Sequence, residues 1–385
     1  MSRFVALNLV LLFFLSLSAA AQNNLCRVYG RVTDSVSLQP IPDVSVFVPF
    51  TSRGTITNAK GEYNLDQLTA GEVQVSFRHI AYTPQSRFFS ISPNDSIQCD
   101  LQMTEATIEI SEVTKQAGSI DWVYGMILFK EMFLGDPYET SCILKNPRDL
   151  SFYFDGDVIY GQAKQPLKIS NSYLGYDITY YLDYFKFDKN KNPATGLGTH
   201  EYFAYGGLAL YTGKNAHARV KKTKWKNNRE EEFRISLKHF LQDLYQDTTS
   251  NKKFCLREVE ATGPDSVFYW DMGQSKGSFI RYSSDKEFIA GDNTLVSGPD
   301  PGLKTLRLSG PLLVFFREPM APVDSVQRVC LLEADRGLVV FDGDGNYRLT
   351  GGNLNWIYLD NQKRLRNMLP MDYDPAAKNE AGPKK

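Results

Sequence analysis

A chain of 385 residues exceeds what one hydrophobic core supports, since cores stop growing at about 250–300 residues, so two folded units are expected. Its 42% hydrophobic and 23% charged residues are those of an ordinary globular protein. The formal net charge of -1 gives no general attraction to polyanions, so nucleic acid is not an expected partner.

After Arg3, an apolar run extends from Phe4 to Leu17, broken only by Asn8 and Ser16, and is followed by Ser18, Ala19, Ala20 and Ala21. That pattern predicts a secretory signal peptide over residues 1–21, cleaved after Ala21. The run is shorter than the roughly 20 residues that cross a bilayer, which disfavours an anchor. Leu25 is larger than the small residue that lipid attachment at Cys26 requires. No later segment is apolar enough to span a membrane. The mature chain is therefore expected in the periplasm, on the outer membrane or at the cell surface. None of Cys26, Cys99, Cys142, Cys255 and Cys330 forms a C-x-x-C pair, so neither a zinc ribbon nor a redox dithiol is readable. An oxidising compartment permits disulfides. Cys26 with Cys99 would join the ends of the first unit, and buried unpaired thiols are the other reading.

From residue 27 the sequence alternates. Val44, Val46 and Val48 are interleaved with Ser45 and Phe47, and Val73, Val75 and Phe77 repeat the period of two that marks half-buried strands. Gly54, Asn58, Gly61 and Gly71 supply turn geometry between them, and Pro40 and Pro42 suit an edge or an entry turn. Short strands so punctuated predict a β-sandwich over residues 27–103.

Gly30, Val32, Asp34, Pro40, Val44, Val46, Gly54, Thr55, Thr57, Gly61, Tyr63, Leu65, Ala81 and Tyr82 resemble the pattern of the carboxypeptidase regulatory-like domain, a transthyretin-like β-sandwich. Asn58 and Ala81 stand where that family commonly has Asp and Gly. In metallocarboxypeptidases the module follows a zinc-bearing catalytic domain and is itself not catalytic; here only the signal is expected before it. In nutrient receptors of Bacteroidetes-type bacteria it precedes a plug and a barrel, for which the residues that follow here are too few. The resemblance therefore implies a scaffold, with no carboxypeptidase activity, zinc or other cofactor.

A linker is expected at 104–120, with Ile108 to Val113 as a last strand, then an amphipathic helix over 121–134. Leu150, Phe152 and Phe154, and Tyr176, Ile178, Tyr180, Leu182 and Tyr184, predict two-faced antiparallel strands. Phe233, Leu237, Phe240, Leu241 and Leu244 form the stripe of a helix over 229–245, capped by Asn228, with Glu230, Glu231 and Glu232 in its first turn. Strands return from Phe254 to about Asp360. The expectation is a β-rich α+β domain over 121–374 and a disordered tail over 375–385. The second unit also resembles exported proteins of the same bacterial group, a likeness that implies no mechanism.

Chemical motifs are sparse. Gly273-Gln274-Ser275-Lys276-Gly277 matches a nucleophile elbow, but His79, His200, His217 and His239 all precede Ser275, and the next residues alternate as a strand. A Gly-rich hairpin is the better reading. His200-Glu201 lacks the second histidine of a zinc-protease helix at Ala204. Asp342, Asp344 and Asn346 begin like a calcium loop, yet Tyr347 and Asn353 occupy its glycine and glutamate positions, so a β-turn is expected. Arg219, Lys221, Lys222, Lys224, Lys226 and Arg229 surround Trp225, which suggests a solvated loop or a contact for anionic headgroups or acidic glycan. Trp122, Trp225, Trp270 and Trp356 are candidate sugar contacts, although aromatics in sheets more often pack. The resulting expectation is a non-catalytic envelope protein whose sandwich docks or spaces and whose second unit binds a protein or glycan. The alternative is a glycan-acting hydrolase whose paired carboxylates converge only in the fold.

Overall fold

The structure, a computed structural model, describes residues 26–106, 119–136, 138–156, 158–188, 202–215, 219–246, 254–259, 265–271, 276–287, 295–297, 302–308, 310–316, 328–334, 338–349, 354–358 and 364–376. The signal segment, the strand at 108–113, most of the linker and most of the tail expected above lie outside these residues. The chain is mainly β and divides into two compact units, residues 1–110 and 111–385.

The first unit contains β1 (Cys26–Asp34), β2 (Ser45–Phe47), β3 (Gly54–Ile56), β4 (Glu62–Leu68), β5 (Gly71–Arg78), β6 (Gln85–Ile91), β7 (Ser96–Gln98) and β8 (Leu101–Met103). One sheet pairs β1 with β4 antiparallel and with β7 and β8 in parallel; the other has the order β3-β2-β5-β6. Val28, Val32, Tyr63 and Leu65 from the first meet Val46, Val73, Val75 and Phe77 from the second, forming a sandwich core. Phe47, on the opposite face of β2 from Val46, is also fully buried, so this strand is covered on both sides. Gly61 takes φ 72°, and a Cβ there would lie 2.4 Å from Val32 O, which explains why the β3–β4 turn needs a glycine.

The Cys26–Cys99 disulfide is not formed. The parallel register pairs Arg27 with Ser96 and Tyr29 with Gln98, which carries Cys99 alongside Gly30. At ~3.3 Å per residue, Cys26 is then about 13 Å away along the strand, whereas a disulfide needs Cα atoms roughly 4.4–6.8 Å apart. Cys26 Sγ instead donates to Ser92 O at 3.2 Å.

The second unit opens with α1 (Ser119–Phe129), which runs into a π-helical turn, Lys130–Leu134, ended by Gly135 at φ 71°. Then come β9 (Cys142–Leu144), β10 (Leu150–Asp155), β11 (Val158–Ala163), β12 (Leu167–Asn171), β13 (Tyr176–Asp188) and β14 (Tyr202–Gly213), an antiparallel sheet in the order β10-β11-β13-β12-β9 with β14 on β13. The expected alternation holds for Tyr176, Ile178 and Tyr180, all buried. It fails at Tyr184, which is 52% exposed, because a register shift between Leu182 and Tyr184 inverts the parity and turns Phe185 and Phe187 inward. Phe129 and Phe133 pack onto this face, with ring centroids 5.1 Å from Phe185 and 4.8 Å from Tyr180 respectively.

Two helices follow, α2 (Arg219–Arg234) and α3 (Leu237–Tyr245), where the apolar stripe predicts one over 229–245. Ser236 divides them by capping α3, its Oγ accepting from His239 N at 3.2 Å. Asn228 lies inside α2 and does not cap it, and the basic stretch read as a loop is the first half of that helix. The remaining strands are β15 (Phe254–Val259), β16 (Asp265–Asp271), β17 (Lys276–Glu287), β18 (Leu295–Ser297), β19 (Leu303–Arg307), β20 (Leu312–Phe316), β21 (Arg328–Ala334), β22 (Leu338–Asp342), β23 (Tyr347–Leu349) and β24 (Leu354–Tyr358). They form two sheets, β16-β17-β15-β20-β21-β24 and β18-β19-β22-β23. Phe240, Leu241 and Leu244 of α3 share a core with Phe254, Leu256, Val314, Leu332 and Phe341. Among the described residues no helix is long and apolar enough to cross a membrane.

Candidate functional site

Among the described residues the candidate catalytic and metal motifs form no site. Ser275, His200, Glu201 and Asn353 lie outside the described residues, but β16 and β17 pair antiparallel on either side of Ser275, so the element after it is a strand and not the helix an elbow needs. Asp342 Oδ1 accepts from Asp344 N at 3.0 Å and Asn346 N at 2.9 Å, and its Oδ2 accepts from Asn346 Nδ2 at 3.1 Å, so the carboxylate is satisfied within the β22–β23 turn. Among the described residues, no group of three or more His, Cys, Asp and Glu is placed to hold a metal ion.

The tryptophans whose side chains are described serve the fold. Trp122 Nε1 donates to Leu150 O at 2.9 Å. Trp225 takes part in a clamp that α2 closes on the β12–β13 turn. Its Nε1 donates to Ser172 O at 2.9 Å, Asn228 Nδ2 to Tyr173 O at 2.7 Å, and the buried Arg229 donates from Nε to Leu174 O at 2.6 Å and from its guanidinium to Gly175 O at 3.3 Å. Arg229 also lies 4.2 Å over the Tyr176 ring. Gly175 has φ 76°, and a Cβ on it would stand 2.3 Å from the Trp225 ring, so indole and turn are in direct contact. The side chains of Trp270 and Trp356, on β16 and β24, lie outside the described residues.

Perturbed ionisable groups inside the second unit are likewise braced by neighbours. Burial raises the pKa of Glu131, on the π-helical turn, against the opposing field of Arg364, and burial lowers that of Arg364, which Tyr205 and Glu131 counteract. Burial also pushes on Asp136, but the backbone N–H groups of Ser141, Thr140 and Cys142 outweigh it and hold the carboxyl below its usual range. Glu131 is a carboxylate facing a cation, whereas glycoside hydrolysis calls for two facing carboxylates. Sequence reasoning missed this electrostatic coupling because Glu131, Tyr205 and Arg364 are far apart in the chain.

The first unit presents the surface best suited to contact. Among the described residues β6 is the outer strand of its sheet, paired with β5 alone. Val48 N donates to Arg53 O and Thr57 N to Val44 O, so the even-numbered residues of β2 turn their backbone groups toward β3. Hydrogen-bonded positions alternate along an antiparallel ladder, so Ser45 and Phe47 bond to β5, and Val73, Val75 and Phe77 bond to Phe89, Arg87 and Gln85 of β6. The backbone N–H and C=O of Ser86, Phe88 and Ser90 therefore point away from the sheet. Phe88, at their centre, is 74% exposed. The strand has no proline or register break, and its one charged residue, Arg87, donates from its guanidinium to Ser86 O at 3.0 Å. A second exposed apolar group, Val36, Leu38 and Ile80, occupies two loops joined by the Tyr82–Asp34 hydrogen bond.

A comparison with curated proteins finds no match. Among solved structures the chain is similar to a type II cohesin–X-dockerin complex from Acetivibrio cellulolyticus, at 14% identity over 26% of this chain and 70% of that one with a TM-score of 0.19. It is also similar to a candidate carbohydrate-binding protein from Bacteroides uniformis, at 11% identity over 49% and 79% with a TM-score of 0.18. Likenesses at these scores carry no argument about fold or role. Residues 28–114 match the model of the CarboxypepD_reg-like domain, so the two-sheet unit at the front of this chain is a carboxypeptidase regulatory-like domain.

Proposed function

We propose that the protein is an exported, non-catalytic cell-envelope protein whose carboxypeptidase regulatory-like domain docks a protein partner along β6. The observation that carries this reading is the open β6 edge, with outward backbone groups at Ser86, Phe88 and Ser90 and an exposed aromatic ring at its middle. A strand added there would pair with the outward backbone at the two-residue repeat that only a polypeptide offers, exchanging with the Arg87 guanidinium that donates to Ser86 O at 3.0 Å. Among the described tryptophans, Trp122 and Trp225 spend their indole N–H groups on backbone carbonyls of the fold, which gives a glycan surface less support. Export is supported by the leader-like pattern of residues 1–21.

The test is a photocrosslinking residue at position 88, introduced into the exporting cell. One discrete protein adduct is expected. Phe88→Pro removes an outward N–H that the β5–β6 ladder does not use, so it is expected to abolish the adduct formed from a crosslinker at Ser86 while leaving the unfolding midpoint within a few degrees. Labelling of glycan alone, or an adduct indifferent to proline, overturns the reading.

A further inference from the structure

We infer that the first half of α2 is an electrostatic contact for a bilayer surface rich in anionic lipid, a role independent of the β6 edge. Arg219, Lys221, Lys222, Lys224 and Lys226 are all exposed along this helix, and among them Val220 exposes 81% of its side chain. A helix carries partial positive charge at its N-terminus, so basic residues belong in the last turn and acidic ones in the first. α2 departs from that order at its start, where the first turn holds Arg219, Lys221 and Lys222 and no acidic residue; its last turn keeps the ordinary basic residue, Arg234. Only Lys226 among the five has a described ion pair, to Glu230 at 3.6 Å.

The fold does not ask for this arrangement. α2 is attached through Trp225, Asn228, Arg229 and the buried Phe233, none of which needs lysines before it. At about 100° per residue, Arg219, Val220 and Lys224 fall on the side of α2 opposite Trp225 and Arg229, with Lys226 at its border, while Lys221 and Lys222 flank the attached side. Cations on that outer side, one of them in the first turn against the dipole, are expected where a site and not a scaffold sets the sequence.

The chemistry of the face selects its occupant. Arg219, Val220, Thr223, Lys224 and Asn227 line a shallow depression of about 530 Å³, shared with Asn228. Over positions 219–226 the cations extend about 10 Å along a straight rod, matching an extended negative surface better than one anionic group. A bilayer supplies both the negative potential and an apolar layer for the bare Val220 side chain, whereas an acidic polysaccharide supplies charge alone.

Co-sedimentation of the full mature chain with vesicles tests the inference. Binding is expected to mixed phosphatidylglycerol–phosphatidylcholine vesicles and not to phosphatidylcholine alone, and to fall as salt is raised. At about fivefold per basic residue, Arg219→Gln, Lys224→Gln and Lys226→Gln together are expected to weaken it on the order of 100-fold. Because these side chains are exposed and the Lys226–Glu230 pair is a surface one, the triple variant is expected to unfold within a few degrees of the natural chain, which separates lost binding from lost structure. Unchanged binding by the variant, failure to bind anionic vesicles, or retention by soluble dextran sulfate without vesicle binding would each overturn it.

Discussion

At the scale of single residues, Asp34 shows how a family position becomes a physical device. It ends β1, and its carboxylate accepts from Ser37 N at 2.6 Å, Ser37 Oγ at 2.8 Å, Val36 N at 3.1 Å and the Tyr82 hydroxyl. The turn so held keeps Leu38 at φ 59°, a left-handed conformation that costs an ordinary residue roughly 1–2 kcal/mol. The same bonds, led by the Ser37 N–H, hold the Asp34 carboxyl below its usual range. A carboxyl depressed in the folded state contributes stability above its unfolded value of about 3.9 and loses that contribution as pH falls through the folded value. Asp34→Asn, which keeps an acceptor but no charge, is therefore expected to lower the urea midpoint of the first unit at neutral pH, with the gap to the natural chain closing in acid. A gap that persists unchanged into strong acid contradicts this. The importance of Asp34 is legible in the motif, but its mechanism is not, because Tyr82 reaches it only across the folded sandwich.

Elements were legible where apolar periodicity holds them and illegible where polar side chains do. β5 and α3 follow their patterns, with Val73, Val75 and Phe77 on one face of the strand and Phe240, Leu241 and Leu244 on one side of the helix. The first half of α2 reads as a loop because the helix buries Arg229 and Glu232 beside Phe233 and is attached by side chains donating to the carbonyls of a turn in another element. No period announces such a clamp, nor the register shift near Tyr184. The clamp makes a direct prediction. Arg229→Met leaves the Leu174 and Gly175 carbonyls without their buried cationic donor and removes the stack on Tyr176, at a cost of about 2–4 kcal/mol. Chemical denaturation followed by tryptophan fluorescence is the measurement, and a loss below ~0.5 kcal/mol would mean that the helix is held by its apolar residues after all.

For the molecule as a whole, the cores decide how many cooperative units exist. Among the described residues one core draws only on residues between Cys26 and Met103, while the second unit holds a cluster between Ile235 and Phe341 and another around Phe129, Phe133, Phe152 and Phe185, and no described sheet takes strands from both units. Each unit thus buries its own apolar surface and closes its own hydrogen-bond ladders, which is the condition for unfolding as a unit. Scanning calorimetry of the full mature chain is accordingly expected to resolve two transitions. Asp34→Asn should move only the one assigned to the carboxypeptidase regulatory-like domain, and Arg229→Met only the other, by several degrees, since each kcal/mol shifts a domain midpoint by about 2–8 °C. If either substitution displaced both transitions together, the regulatory-like domain would owe its stability to the unit that follows it, and docking on β6 could not be independent of that unit.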